Sequence, residues 1–199
     1  MRRQADRKGP DLEDEARFLR SWLERPLMTG AVAPSGKDLA RAMARFVDPR
    51  REGQVVELGP GTGPVTEALI ERGIPQERLV LVEFNPDFCK LLSQRFPRAT
   101  IRQGDAYDIR HTLAGSLVGP AAGVVSSLPL FTKPVTERLR LLRSAMDLMQ
   151  PNAPFVQFTY AVVPPIPKHP GEYTAEATGR IWLNLPPARV WVYRRPAHR

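Results

Sequence analysis

Residues 54–63 read Gln-Val-Val-Glu-Leu-Gly-Pro-Gly-Thr-Gly, and no other segment constrains the fold as much. An apolar run (Val55, Val56, Leu58) stops at Gly59, Gly61 and Gly63, and apolar residues at helical spacing follow (Val65, Ala68, Leu69). That order predicts a strand, a tight turn and a helix. Glycines in such a turn let backbone lie against a bound ligand where any Cβ would collide. Glu83 stands 20 residues beyond Gly63. There it would sit at the tip of the next strand, where a carboxylate suits a pair of ribose hydroxyls.

The spacing Gly59-x-Gly61-x-Gly63 is not the G-x-G-x-x-G of dinucleotide folds, and an acidic residue, Glu57, lies inside the strand end. The string E-L-G-x-G-x-G resembles motif I of class I S-adenosylmethionine (SAM) methyltransferases. SAM as cofactor and S-adenosylhomocysteine (SAH) as product are what that resemblance implies. Such an enzyme must hold a sulfonium, an adenosine and an amino-acid tail. Backbone from Gly59 through Pro60, Gly61 and Thr62 to Gly63 would take the tail, and the resemblance makes Glu57 a cofactor position as well. Glu83 would accept the ribose hydroxyls, and Phe84, followed by Asn85, would stack on adenine or pack in the core. Asp105, after Gly104, would accept from the adenine amino group, and Ala106 would offer its backbone N–H. Ser126 and Ser127 end the fourth strand, where substrate should meet the methyl group.

Length and charge narrow the setting. A chain of 199 residues that is 42% hydrophobic can bury a real core. The single cysteine, Cys89, excludes an internal disulfide, which agrees with a reducing cytoplasm. Net charge is +8, and 24 of the 29 basic residues are arginine. Such a surface favours polyanions, either nucleic acid or an anionic membrane face. Residues 1–14 are charged and lack the apolar core of a signal peptide. Residues 111–132 carry no Asp, Glu, Lys or Arg, but Pro120, Pro129 and three glycines argue against a spanning helix. They read as a loop leading into a buried strand at 123–127.

Along the chain, residues 1–10 are expected to form a disordered tail, 11–50 N-terminal helices and 51–199 the catalytic domain. Leu12, Ala16, Leu19, Leu23 and Leu27 recur at helical spacing, with Phe18 and Trp22 beside them. Ser35 is read as the N-cap of a second helix, 37–46. Strands are predicted at 55–58, 79–84, 100–103, 124–127, 155–160 and 188–193, and helices at 62–72, 86–96 and 134–149. Alternating strands and helices imply an α/β fold: a Rossmann-like, mostly parallel sheet, seven-stranded by the methyltransferase resemblance, with an antiparallel last strand.

Further segments extend the resemblance. Gly-Pro-Gly-Thr-Gly-Pro-Val-Thr, Val-Glu-Phe-Asn-Pro-Asp-Phe, Gly-Asp-Ala, Ser-Ser-Leu-Pro-Leu and Leu-Pro-Pro-Ala-Arg-Val-Trp resemble bacterial phospholipid N-methyltransferases. The branch in question looks like the ribosomal RNA adenine dimethylases. The resemblance runs from about residue 18 to 195. It implies stepwise N-methylation of phosphatidylethanolamine to phosphatidylcholine by a cytoplasmic protein held peripherally at the inner membrane face; a monomer is expected, although nothing in the sequence sets the oligomeric state. No metal is implied. Phe18, Trp22 and Arg25 on the N-terminal helix, with Ser35, are expected at lipid; a lid on the cofactor cleft is the other reading of that helix, and the two are compatible. Leu128, Phe131, Tyr173 and Trp182 are the other expected substrate or membrane contacts.

For catalysis, a neutral amine must attack the methyl carbon, so the ammonium must first lose a proton. Desolvation beside a sulfonium lowers its pKa, and no strong base is compulsory. Tyr160 is the first candidate for an aromatic face on the growing methylammonium. Ser127 is placed at the reacting end, and His169 is a candidate proton acceptor or phosphate contact. Three alternatives stay open. An ornithine lipid could supply the amine instead. An RNA adenine would suit the basic charge, but nucleic acid is disfavoured as a partner, because the Asn-Pro-Pro-Tyr-like amide after the fourth strand is replaced by Ser126-Ser127-Leu128-Pro129. A SAM- or membrane-binding module without turnover is the third.

Overall fold

The computed structural model describes residues 34–182 and 187–196. The expected tail and amphipathic helix, with Phe18, Trp22 and Arg25, lie outside the described residues, as does part of the Leu-Pro-Pro-Ala-Arg-Val-Trp segment.

Among the described residues, seven strands form one sheet: β1 Val55–Leu58, β2 Leu79–Glu83, β3 Thr100–Gln103, β4 Gly123–Ser126, β5 Phe155–Thr159, β6 Thr174–Ala177 and β7 Arg189–Arg194. Their order is β3-β2-β1-β4-β5-β7-β6. β1 pairs in parallel with β2 and β4, β2 with β3, and β4 with β5, whereas β7 runs antiparallel to both β5 and β6. The helices are α1 Pro34–Ala44, α2 Pro64–Glu71, α3 Pro86–Arg95, α4 Ile109–Thr112 and α5 Val135–Asp147.

Every residue of β1, β2, β4 and β5 is buried. Strands covered on both faces need apolar side chains on both, which is why these segments read as apolar runs broken only by Glu57, Glu83, Ser126, Gln157 and Thr159. One face holds Val55, Leu79, Leu81, Val125 and Val156 under α1 and α2. The other holds Val56, Val80, Val124 and Phe155 under α5 and the chain around Ile166. Among the described residues, no helix is long and apolar enough to cross a membrane.

Most element ends fall within a residue or two of expectation, and three differences stand out. α1 begins at Pro34, so Ser35 lies within its first turn rather than capping it. α2 begins at Pro64 because the turn runs on through Gly63, whose φ is 89°. β6 adds an edge strand where a loop was expected, and only one of its four residues is even partly buried.

The order of strands reverses between β1 and β4, and the crevice at their carboxyl ends is where open α/β sheets take ligands. Glu57, the glycine turn and Ser126 all converge there.

Candidate active site

The turn after β1 is built from three left-handed glycines, Gly59, Gly61 and Gly63, with φ of 68°, 56° and 89°. Their reasons differ. A Cβ on Gly63 would stand 2.6 Å from Phe96 Cε2, and one on Gly59 would stand 3.0 Å from Leu128 Cδ2. A Cβ on Gly61 would meet nothing within 4 Å, so there the open side of the turn faces space for a ligand. Gly63 N donates to Pro60 O at 2.8 Å and Gly59 N to Val82 O at 2.9 Å. Arg95 on α3 donates to Thr62 O and braces the turn from outside.

Glu57 is fully buried beneath this turn. Thr66 Oγ1, on α2, donates to its Oε2 at 2.7 Å, while Oε1 has no partner among the described residues. Burial pushes its carboxyl up to about 8, helped by the Glu83 charge and opposed by the Thr66 hydroxyl. Glu83, 8% exposed at the tip of β2, is fixed by two backbone donors, Gly61 N to Oε2 at 3.0 Å and Asn85 N to Oε1 at 2.9 Å. Each oxygen keeps a lone pair for another donor.

Phe84 is 75% exposed, which excludes the core role and leaves its ring beside the crevice. Asn85 caps α3 by accepting from Asp87 N at 2.8 Å. Asp105 does the same for the short turn at 106–108, its Oδ1 accepting from Tyr107 N at 2.8 Å. Ala106 is buried, and a Cβ on Gly104 would stand 2.6 Å from Thr112 Cγ2.

Beyond β4, Ser126 is fully buried, with its Oγ 3.4 Å from Leu128 N. Ser127 N donates to Leu58 O at 2.9 Å, so the Ser-Ser-Leu-Pro segment lies against the glycine turn. Tyr160 follows β5, half-buried, its ring edge-on to Phe158 at 5.5 Å. Phe131 lies under the Arg138 guanidinium at 4.9 Å. Trp182 is 72% exposed.

One expected contact is corrected. Tyr173 is a core residue: it is 4% exposed, its hydroxyl donates to Pro167 O at 2.6 Å, and its ring packs edge-on against Tyr193. It has no free face for a methylammonium. His169 Nδ1 stands 3.8 Å from Glu172 Oε2, a carboxylate that Arg143 of α5 holds through two hydrogen bonds of 2.7 and 2.9 Å.

Two residues escaped the sequence reading. Thr66 was read only as part of a helix, although its spacing from Glu57 places a hydroxyl over the strand end. Gln157 sits inside the apolar run Phe-Val-Gln-Phe-Thr and is 1% exposed. A lone amide in a strand buried on both faces was the available signal.

Residues 38–114 match the family model of ribosomal RNA adenine dimethylase. The ornithine lipid N-methyltransferase of Singulisphaera acidiphila is 31% identical over 151 residues, covering 74% of this chain and 79% of that protein. The chain belongs to the SAM-dependent methyltransferases.

Within this family, the ribosomal RNA small subunit methyltransferase A of Burkholderia ambifaria is 39% identical over 87 residues, but the match covers only 32% of that protein. The N-methyltransferase NodS from Bradyrhizobium japonicum, solved with SAH, superposes with a TM-score of 0.65 at 14% identity. That superposition covers 89% of this chain and 98% of that one, and it shows the fold alone. The methyltransferase cofactor fits the residues present. Space opens above Gly61, Glu83 has lone pairs to spare, and the unpartnered Glu57 Oε1 would gain from a cation above it.

Proposed function

We propose that this methyltransferase acts on the primary amine of a membrane aminolipid, with an ornithine lipid as the first candidate and phosphatidylethanolamine as the second. The similarity to ornithine lipid N-methyltransferase along 79% of that protein carries this order. It displaces phosphatidylethanolamine, which the sequence motifs favoured. An RNA substrate is less well supported: β4 ends in Ser126-Ser127 rather than an amide, and the chain spans about a third of its ribosomal RNA relatives.

When bound, SAM supplies an electrophilic methyl carbon on its sulfonium. The chain's own residues hold and shield it. The Gly59–Gly63 backbone would take the amino-acid end, Glu83 the ribose hydroxyls, Phe84 an adenine face, and Asp105 with Ala106 the adenine edge. Ser127 and Tyr160, at the ends of β4 and β5, flank the approach of the amine. Positioning does most of the work once the amine is neutral. Desolvation beside a cation supplies that neutrality without a dedicated base. An aromatic face such as that of Tyr160 favours each methylated ammonium by about 0.5–2 kcal/mol.

Access to a lipid amine requires the membrane surface. The net charge of +8 favours an anionic leaflet, and Val162, Val163 and Trp182 are exposed, as residues that dip into an interface must be. Peripheral attachment at the inner face of the cell membrane follows from this reading.

The test is transfer of radiolabelled methyl from SAM to vesicles containing either ornithine lipid or phosphatidylethanolamine in an anionic background, with Glu57→Ala as control. Label in ornithine lipid, absent from the control, supports the proposal. Label only in phosphatidylethanolamine products promotes the second candidate. Label in neither lipid, with SAM still bound, overturns both.

A further inference from the structure

A row of polar side chains crosses the sheet one layer below the strand ends. Ser126 on β4 stands opposite Gln157 on β5, and Gln157 opposite Trp191 on β7. One step toward the carboxyl end of β5, on the same face, Thr159 stands opposite Arg189. Gln157 is 1% and Trp191 5% exposed. Gln157 Nε2 donates to Leu128 O at 3.0 Å and to Phe158 O at 2.8 Å. Its Oε1, the Trp191 Nε1–H and the Arg189 Nε–H are all buried with no partner among the described residues.

Buried polar atoms are nearly always satisfied, so each exception needs an explanation. Here three exceptions share one face of two adjacent strands, and they are complementary: one acceptor and two donors, one of the donors on a cation. They also adjoin the cofactor turn. Leu128, whose carbonyl holds Gln157, is the residue a Cβ on Gly59 would strike. Arg189, at the start of β7, is the half-buried member of the three.

We propose that Gln157, Trp191 and Arg189 form the acceptor's headgroup subsite, which takes a zwitterion with an anionic group a few bonds from a primary amine. The inference rests on the aminolipid reading above. Arg189 and Trp191 donate to the carboxylate or phosphate. Gln157 Oε1 accepts from the amine, so the amide that the β4 end lacks stands on β5. Ornithine lipid and phosphatidylethanolamine share this chemistry and differ in the anion.

Calorimetric binding to the SAH-loaded protein tests it. The probes are short-chain N-acylornithine and short-chain phosphatidylethanolamine, with two half-probes: N-acyl-1,4-diaminobutane, which lacks the carboxylate, and N-acylnorvaline, which lacks the amine. Wild-type protein should bind at least one zwitterion about tenfold more tightly than either half-probe. Trp191→Phe and Arg189→Met should weaken the anion-bearing probes by about tenfold and leave the diaminobutane probe unchanged. Gln157→Met should weaken the amine-bearing probes and spare N-acylnorvaline. Trp191→Phe removes the N–H together with part of a buried ring, so its unfolding midpoint should fall modestly while its SAH affinity should match wild type. This keeps the test valid even where Gln157→Met disturbs Leu128.

Equal binding of whole and half probes by wild type would overturn the subsite, as would variants that bind within twofold of it. Methyl transfer is read separately. A zwitterion that binds through these residues yet is never methylated would sink the proposed reaction and leave the subsite standing. Whichever zwitterion the wild type prefers identifies the anion.

Discussion

Glu57→Gln should stabilise the cofactor-free protein at high pH while weakening cofactor binding. The carboxyl is fully buried, and burial raises it from an ordinary 4.5 to about 8. The folded form therefore holds the proton more tightly than the unfolded form between those values. Stability falls as pH rises through that window, because folding then requires either a buried charge or an uptake of protons. At about 1.4 kcal/mol per pH unit, the window from 4.5 to about 8 sets a ceiling of roughly 5 kcal/mol. Relaxation around the charge lowers this, and a gain of about 2–3 kcal/mol for Gln over Glu at pH 8.5 is expected. Glutamine keeps an oxygen for Thr66 and carries no charge, so below pH 4.5, where Glu57 is protonated in both states, the two proteins should differ little. Urea unfolding of both proteins from pH 4.5 to 8.5 measures the difference. Saturating SAH, whose ammonium favours the carboxylate, should shrink or reverse it. A difference that stays constant across pH would refute the argument, since it would show that Glu57 does not titrate in this window.

Three other substitutions probe the frame. Gly61→Ala meets no neighbour but forces a left-handed alanine; it should cost about 1–2 kcal/mol in stability and weaken SAH by more than about tenfold, read by denaturation and calorimetry. Gly63→Ala adds a 2.6 Å clash with Phe96 to the same strain and should cost about 2–4 kcal/mol, visible as a large drop in the unfolding midpoint. Tyr173→Phe removes the hydrogen bond to Pro167 O. It should cost about 1 kcal/mol of stability and leave KM for the lipid unchanged, whereas a changed KM would restore Tyr173 as a substrate contact.

Much of this architecture was readable before any coordinate. The strand–glycine–helix unit at 55–71 carries its own signals, because apolar runs, left-handed glycines and helical spacing are all local. The edge strand β6 was not readable: Thr174-Ala-Glu-Ala alternates but has no large apolar side chain to mark a buried face, and β7 pairing makes it a strand. α4 is four residues long, too short for periodicity to show. Tyr173 was misplaced for the opposite reason. An aromatic in a proline-rich loop looks free, and only the return of the loop onto Tyr193 buries it. The Gln157–Trp191–Arg189 row needs the register between β5 and β7, which no local pattern encodes.

The position of β7 bears on how this protein must be made. β7 lies between β5 and β6 in the sheet yet is the last strand in sequence. Until residues 189–194 leave the ribosome, β5 presents an unpaired edge bearing Phe155, Val156 and Phe158. Exposed apolar edges invite pairing with other chains. A nascent chain stalled before residue 189 should therefore depend on chaperones and aggregate when released, although its cofactor turn has already been synthesised.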